Sequence, residues 1–392
     1  MLETTPTAAI IALGMSKTNN NQTSYKRIVI KLGTNMLTAG TDHLDPEVMA
    51  SMVGQVAALH KQGKEVILVS SGAIAAGRHK LGLDKKRKDI PFKQVLASVG
   101  QGLLMHAYEQ LFGWHHIVVA QALLTKADLA DRAGYLNARN TLLALVELGV
   151  ICIINENDVV AVDELEGARF GDNDQLSAMV ANLVDADLLV ILTDIAGLYT
   201  ADPHKDTSAR LIPKVEHIDE AIEMLGGDSI SGRGTGGMAT KIEAAKLATA
   251  SGVAVVIAQG REPNVLGRLV AGEALGTLFV PMETKRESRE RWLLSGLCCM
   301  GRLVVDNGAV EALHKQKKSL LPVGIKEVKG DFQRGDVVDI VDADGERIAC
   351  GITNYSAADI NRIKGVHSEE IEALLGYEYG TEVIHRNNLV IL

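Results

Sequence analysis

Between residues 27 and 281, short runs of Val, Ile and Leu alternate with longer stretches of helical period, and this alternation constrains the fold more than any other feature. Residues 27–31, 65–70, 116–120, 150–155, 187–193, 253–258 and 278–280 read as strands. Most are apolar at every position, so both of their faces must be covered, as in a parallel sheet between two layers of helices. Amphipathic stretches at 46–61, 93–111, 139–148, 175–184 and 241–250 supply those layers. Asp45 and Pro46 form a helix start, and Gly63 and Gly252 fall where helices should stop. With 47% apolar but only 4% aromatic residues, the core must be built from small aliphatic side chains. The expected architecture is a three-layer αβα sandwich around a mainly parallel sheet.

After the charged run 283–291 the pattern changes: strands at 301–305, 337–341 and 347–353 follow one another, with a turn signal at Asp344-Gly345. The expected division is a disordered tail over 1–25, a first domain over 26–284 and a small β-rich domain over 285–392. The tail's apolar stretch 8–15 lacks the basic lead-in of a secretory signal, its 16–24 segment is rich in Asn, Thr and Ser, and Met15 is an alternative start.

A net charge of -9 argues against duplex DNA or an anionic membrane as the main partner, so any phosphate site must be local. No apolar run approaches the ~18 residues that span a bilayer. Cys152, Cys298, Cys299 and Cys350 lack C-x-x-C spacing, which favours reduced thiols and a cytoplasmic location.

The polar signals of the first domain cluster at strand carboxyl ends, the edge where open parallel sheets bind ligands. Lys31 ends a buried run and precedes Gly33; either an anion awaits it or it snorkels to solvent. Ser70-Ser71-Gly72 opens a helix, as an anion-binding turn or an ordinary cap. Asn155-Glu156-Asn157-Asp158 and Gly171-Asp172-Asn173-Asp174 mix carboxylates with amides, suited to an ammonium group and Mg²⁺, or to solvated turns. Thr193-Asp194 ends another strand. The glycine-rich run from Gly232 to Lys241 suits a loop folding over phosphates, although it is not a Walker A sequence.

Two lysines and several carboxylates, with no well-placed His or Cys nucleophile, suit phosphoryl transfer to a carboxylate. The acceptor is already ionised near neutral pH and needs no general base. The barrier lies in bringing two anions together, so positive charge around the phosphoryl group is the main requirement.

Taken in order, VIKLGTN from Val29, SSGAIAAGR from Ser70, LNARNTL from Leu136, INENDVVA from Ile154, FGDND from Phe170, LTDIAGLYTADP from Leu192 and GTGGMATK from Gly234 resemble the amino acid kinase family. The likeness continues through SLLPVGIKEVKGDFQRGDVV from Ser319 and LLGYEYG from Leu374, where the chain resembles a PUA domain, a small β-barrel. The resemblance implies ATP- and Mg²⁺-dependent phosphorylation of the side-chain carboxylate of L-glutamate, opening proline synthesis. It implies that Lys31, Thr193, Asp194 and the loop Thr235, Gly236, Gly237, Met238, Ala239, Thr240 and Lys241 bind ATP, with Lys31 and Lys241 stabilising the transferring group. Ser71, Asp158 and Asn173 would hold glutamate, Asp174 would orient the lysines, and Asp172 would lie near the metal. It further implies a dimer or tetramer, feedback inhibition by proline, and hand-off to a glutamyl-phosphate reductase.

Kinases of this fold acting on aspartate, N-acetylglutamate, carbamate or UMP are the rival reading, against which the β-rich C-terminal domain counts. From residue 285 onward, 15 Lys/Arg face 17 Asp/Glu, which leaves no basic footprint for RNA. Asn35 stands where the family pattern has a small hydroxyl residue, and 164–169, which the resemblance places in the loop near glutamate where proline inhibits, is slightly long.

Overall fold

The computed structural model describes residues 25–83, 89–161, 173–226, 237–282 and 299–392. The chain runs through β1 (Arg27–Leu32), α1 (Thr34–Leu37), α2 (Pro46–Lys61), β2 (Glu65–Ser70), α3 (Ala73–Leu81), α4 (Ile90–Gly113) and β3 (Val119–Leu124). There follow α5 (Lys126–Ala130), α6 (Arg132–Glu147), β4 (Ile151–Glu156), α7 (Asn173–Leu183), β5 (Leu188–Thr193), β6 (Lys214–Val215) and α8 (Glu220–Leu225). Next come α9 (Met238–Ala250), β7 (Ala254–Gln259), α10 (Val265–Val270) and β8 (Thr277–Phe279).

These strands form one eight-stranded sheet in the order β3-β4-β2-β1-β5-β7-β8-β6. Alternation along β1 explains the layers. Ile28, Ile30 and Leu32 pack with Met49 and Val56 of α2, Tyr108 and Phe112 of α4, and Leu269 of α10. Val29 points the other way, into a cluster holding Leu142 of α6, Val180 of α7 and Ile242 of α9. The three-layer αβα expectation is met, and the helix punctuation follows it: the Asp45 carboxylate accepts from the N–H groups of Glu47 and Val48 at 2.9 and 3.1 Å.

Two features differ from the sequence reading. β3 starts at Val119 rather than 116, because His116, with φ 59°, continues the turn that ends α4. As an edge strand β3 is only half-buried, so apolar content located it poorly. The sheet also ends in an antiparallel β7–β8 pair joined by the two-residue β6, too short to carry a period.

Helices α3 and α4 cross at two glycines. A Cβ on Gly77 would lie 1.9 Å from the Leu96 carbonyl oxygen, and one on Gly100 would lie 1.7 Å from that of Ala73.

β9 (Gly301–Val305), β10 (Ile325–Gly330), β11 (Val337–Val341), β12 (Arg347–Ile352) and β13 (Leu389–Ile391) form a second sheet in the order β10-β9-β11-β12-β13. Its core holds Leu303, Phe332, Ile340 and Tyr355, with Ile360 and Ile371 from short helices. Sequence reading located β9 and β11 and came within a residue of β12, but it missed β10, whose residues are mostly exposed, and the three-residue β13.

Helix α6 joins the two sheets. Leu136 packs with Val337, Cys350, Ile352 and Val390. Arg139, buried, donates from Nε to Asn388 Oδ1 at 2.7 Å and from Nη2 to Asp185 Oδ2 at 2.6 Å, and its Nη1 reaches the carbonyl of Leu183. Among the described residues, no helix is long and apolar enough to cross a membrane.

Candidate active site

β1 leads to β2 on one side while its other neighbour, β5, leads away to the opposite side, so connections from adjacent carboxyl ends diverge. Such a switch point is the natural place for a ligand crevice in an open parallel sheet. A cleft of about 410 Å³ lies there, lined by Lys31 in β1 and Gly33 after it, Ser71 and Gly72 after β2, Asn155 and Glu156 at the end of β4 and Asp158 beyond it, Thr193 at the end of β5 and Asp194 after it, and Asn173 and Lys241 from helices.

At its floor, three charges meet. Lys31 Nζ lies 2.6 Å from Asp174 Oδ1, and Lys241 Nζ donates to Oδ2 of the same carboxylate at 3.1 Å. Thr240 Oγ1 also donates to Oδ2, at 2.9 Å. All three charged residues are nearly inaccessible, at 4% for Lys31, 0% for Asp174 and 6% for Lys241. Burial alone would raise the pKa of Asp174, but the adjoining ammonium groups of Lys31 and Lys241 outweigh it and hold the acid well below the usual carboxylate range.

Beside this triad is a polar wall. Asn173 Nδ2 donates to Ser71 Oγ at 3.0 Å and to Asn155 Oδ1 at 3.1 Å, and Asn155 in turn donates to Gln101 Oε1 at 2.8 Å. Asn173 Oδ1 is buried without a hydrogen-bond partner among the described residues, which leaves an acceptor for a ligand's N–H. Burial pushes the Asp158 carboxyl up to about 6, against the opposing charge of Lys93. Gly72 opens α3 at φ +102°, and a Cβ there would also meet Leu44 Cδ2 at 3.0 Å. Only glycine lets the chain turn sharply enough to aim Ser71 into the cleft.

The cleft therefore brings together Lys31, Ser71, Asp158, Asn173, Thr193, Asp194 and Lys241, with Asp174 and Thr240 joined to them by contact. Gly237 caps α9 and Met238 packs against the core beneath it, and none of Gly237, Met238 and Ala239 lines the cleft. Asp172, Thr235 and Gly236 lie outside the described residues. Asn35 donates to Asp194 over a long 3.4 Å. Sequence reading passed over Gln101, Lys93 and Arg78. Gln101 sits mid-helix with no local signal, whereas Arg78 closes the quoted SSGAIAAGR motif.

The family model described as the amino acid kinase family matches residues 26–259. The chain belongs to the amino acid kinase family. A PUA domain model matches residues 301–375, so this amino acid kinase carries the C-terminal β domain that its sequence resembled. A glutamate 5-kinase of Dehalococcoides mccartyi strain CBDB1 is 57% identical over 95% of the chain and 100% of its own length. That of Herpetosiphon aurantiacus is 55% identical over 93% and 98%, and that of Shewanella amazonensis 50% over 95% and 98%. The UMP kinase of Bacillus anthracis covers 66% of this chain and 97% of its own with a TM-score of 0.44 and 17% identity, too slight a likeness to bear on the site.

Proposed function

We propose that this amino acid kinase transfers the terminal phosphoryl group of ATP to the side-chain carboxylate of L-glutamate, as a glutamate 5-kinase does. The observation that carries the reading is the buried pair Lys31 and Lys241 on one carboxylate, opening into a cleft whose other wall is Ser71, Asn173 and Asp158. The full-length likeness to glutamate 5-kinases supports the choice of acceptor.

A carboxylate oxygen of glutamate attacks the γ-phosphorus while the bond to the bridging oxygen breaks, and its electron pair leaves with ADP. The product is an acyl phosphate. Glutamate's carboxylate, with an ordinary pKa of about 4.3, is ionised at neutral pH and needs no base. Lys31 and Lys241 neutralise charge on the phosphoryl oxygens, and Asp174 fixes both before ATP arrives, so little reorganisation is needed during reaction. Ser71, Asn173 and Asp158 hold glutamate, with the Asp158 carboxylate and the open Asn173 Oδ1 facing its α-ammonium group. Thr193 and Asp194 belong to the nucleotide side. The oxygen-only donors Glu156 and Asp194 fit Mg²⁺, which would shield the phosphates when bound.

The same reading assigns catalysis to residues 26–284 and leaves 285–392 as an accessory β domain. Inhibition by proline at the glutamate wall, a dimer or tetramer in the cytoplasm and hand-off of the acyl phosphate to a glutamyl-phosphate reductase complete it. Incubation with MgATP, candidate acids and hydroxylamine tests the reaction, because acyl phosphate is trapped as hydroxamate. Product with glutamate is expected; product with aspartate and none with glutamate would overturn the assignment.

A further inference from the structure

A separate set of ligand-type side chains stands at the outer rim of the cleft, and phosphoryl transfer makes no use of it. Asp42 and His43 lie on the loop between α1 and α2, and His79 lies near the end of α3. One ligand atom from each of the three comes within 4.8 Å of the others. His43 Nδ1 is 3.0 Å from Asp42 Oδ1, and the two imidazole rings sit 5.0 Å apart with their planes at 35°. Asp42 also lines the cleft.

A plain surface hydrogen bond would account for Asp42 and His43, since they are sequence neighbours. It does not account for the third ligand, which arrives from a different element with its imidazole turned onto the pair. Two imidazole nitrogens and one carboxylate oxygen form the donor set of Zn²⁺ and its d-block neighbours, whereas Mg²⁺ and Ca²⁺ prefer oxygen alone. With metal–ligand bonds of about 2.0–2.2 Å, tetrahedral donors stand roughly 3.3–3.6 Å apart. The three ligand atoms, already within 4.8 Å of one another, must close to that spacing when the metal binds. Three protein ligands leave a fourth position for water.

We propose that Asp42, His43 and His79 form a binding site for a divalent d-block cation of the Zn²⁺ class, distinct from any Mg²⁺ that accompanies the nucleotide. Its occupation ties the α1–α2 loop to α3. These two elements already touch where Leu44 lies over Gly72, at the turn that presents Ser71, so the metal braces the rim of the cleft from outside. The inference stands on this geometry and does not depend on which acid the cleft phosphorylates.

Titration of the full-length, untagged protein with Co²⁺, in millimolar Mg²⁺ and without nucleotide, tests it. One equivalent should bind at micromolar concentration with a visible ligand-field band, and Zn²⁺ should displace it. His79→Ala and His43→Ala should each weaken binding at least tenfold, and Asp42→Asn should weaken it less. Zn²⁺ should raise the thermal midpoint of the native protein and not that of His79→Ala, whose exposed side chain can be removed without disturbing the core. Absence of stoichiometric uptake would overturn the site. So would unchanged Co²⁺ affinity in His79→Ala, which would assign the metal to the remaining histidines and thiols.

Discussion

Lys31 and Lys241, from opposite parts of the kinase domain, hold the two oxygens of one buried carboxylate, Asp174, at 2.6 and 3.1 Å. The cleft therefore has two ammonium groups fixed side by side before any phosphate enters. Lys241→Ala removes one of them, and loss of a single preorganised charge of this kind typically costs about 10²–10³ in kcat. Unchanged circular dichroism with hydroxamate formation down at least a hundredfold is expected. Activity within tenfold of native would remove Lys241 from the mechanism.

Asp174→Asn leaves two ammonium groups buried together without their counter-ion, and breaking such a buried arrangement costs about 3–5 kcal/mol. ATP supplies replacement negative charge. The ATP-induced rise in thermal midpoint should therefore be larger in Asp174→Asn than in the native protein, measured by scanning fluorimetry. An equal or smaller rise would mean that the nucleotide phosphates do not reach these lysines.

Asp158, pushed up to about 6 by burial against the pull of Lys93, gives the reaction an acid limb. Below that pH the protonated acid no longer attracts the substrate's ammonium group, while glutamate's own side-chain carboxylate stays ionised down to about 4.3. The kcat/KM for glutamate should fall about tenfold per pH unit below 6. Asp158→Asn should lower the plateau and abolish this limb; an identical limb in the variant would assign the titration elsewhere.

Gly100 of α4 touches the backbone of α3 so closely that a methyl group would sit 1.7 Å from the Ala73 oxygen. Gly100→Ala must push α3 away, and with it the Ser71–Gly72 turn that the helix continues. A stability loss of about 1–3 kcal/mol is expected, with a rise in KM for glutamate exceeding that for ATP. Gly102, one turn-fraction along the same helix with open space at its Cβ position, is the control. Gly102→Ala should be neutral or stabilising by about 0.5–1 kcal/mol.

Arg139 clamps the end of α7 to the last turn of the C-terminal domain, through Asp185 and Asn388. Arg139→Ala strands several buried partners, a change worth about 3–5 kcal/mol, whereas Arg132→Ala breaks an exposed pair with Asp336 worth at most about 1 kcal/mol. Limited proteolysis should release the C-terminal domain sooner in Arg139→Ala than in Arg132→Ala. Equal rates would show that Arg139 contributes no more to holding the two together than the exposed Arg132–Asp336 pair does.

Much of this protein was legible in the linear chain, because strands buried on both faces, such as Leu188–Thr193, carry almost nothing but aliphatic side chains. Caps and stops at Asp45, Gly63 and Gly252 are likewise set by nearest neighbours, and polar residues just after buried strands mark the ligand edge. The partners were not legible. That Asp174 is shared by Lys31, Thr240 and Lys241, that Gln101 backs Asn155, and that Arg139 joins two domains all depend on strand order and helix docking. The same holds for the antiparallel β7–β8 edge. Local periodicity reports which face of an element is covered; only the packed structure decides what covers it, since those contacts join residues whose separation along the chain leaves no trace in either one's neighbourhood.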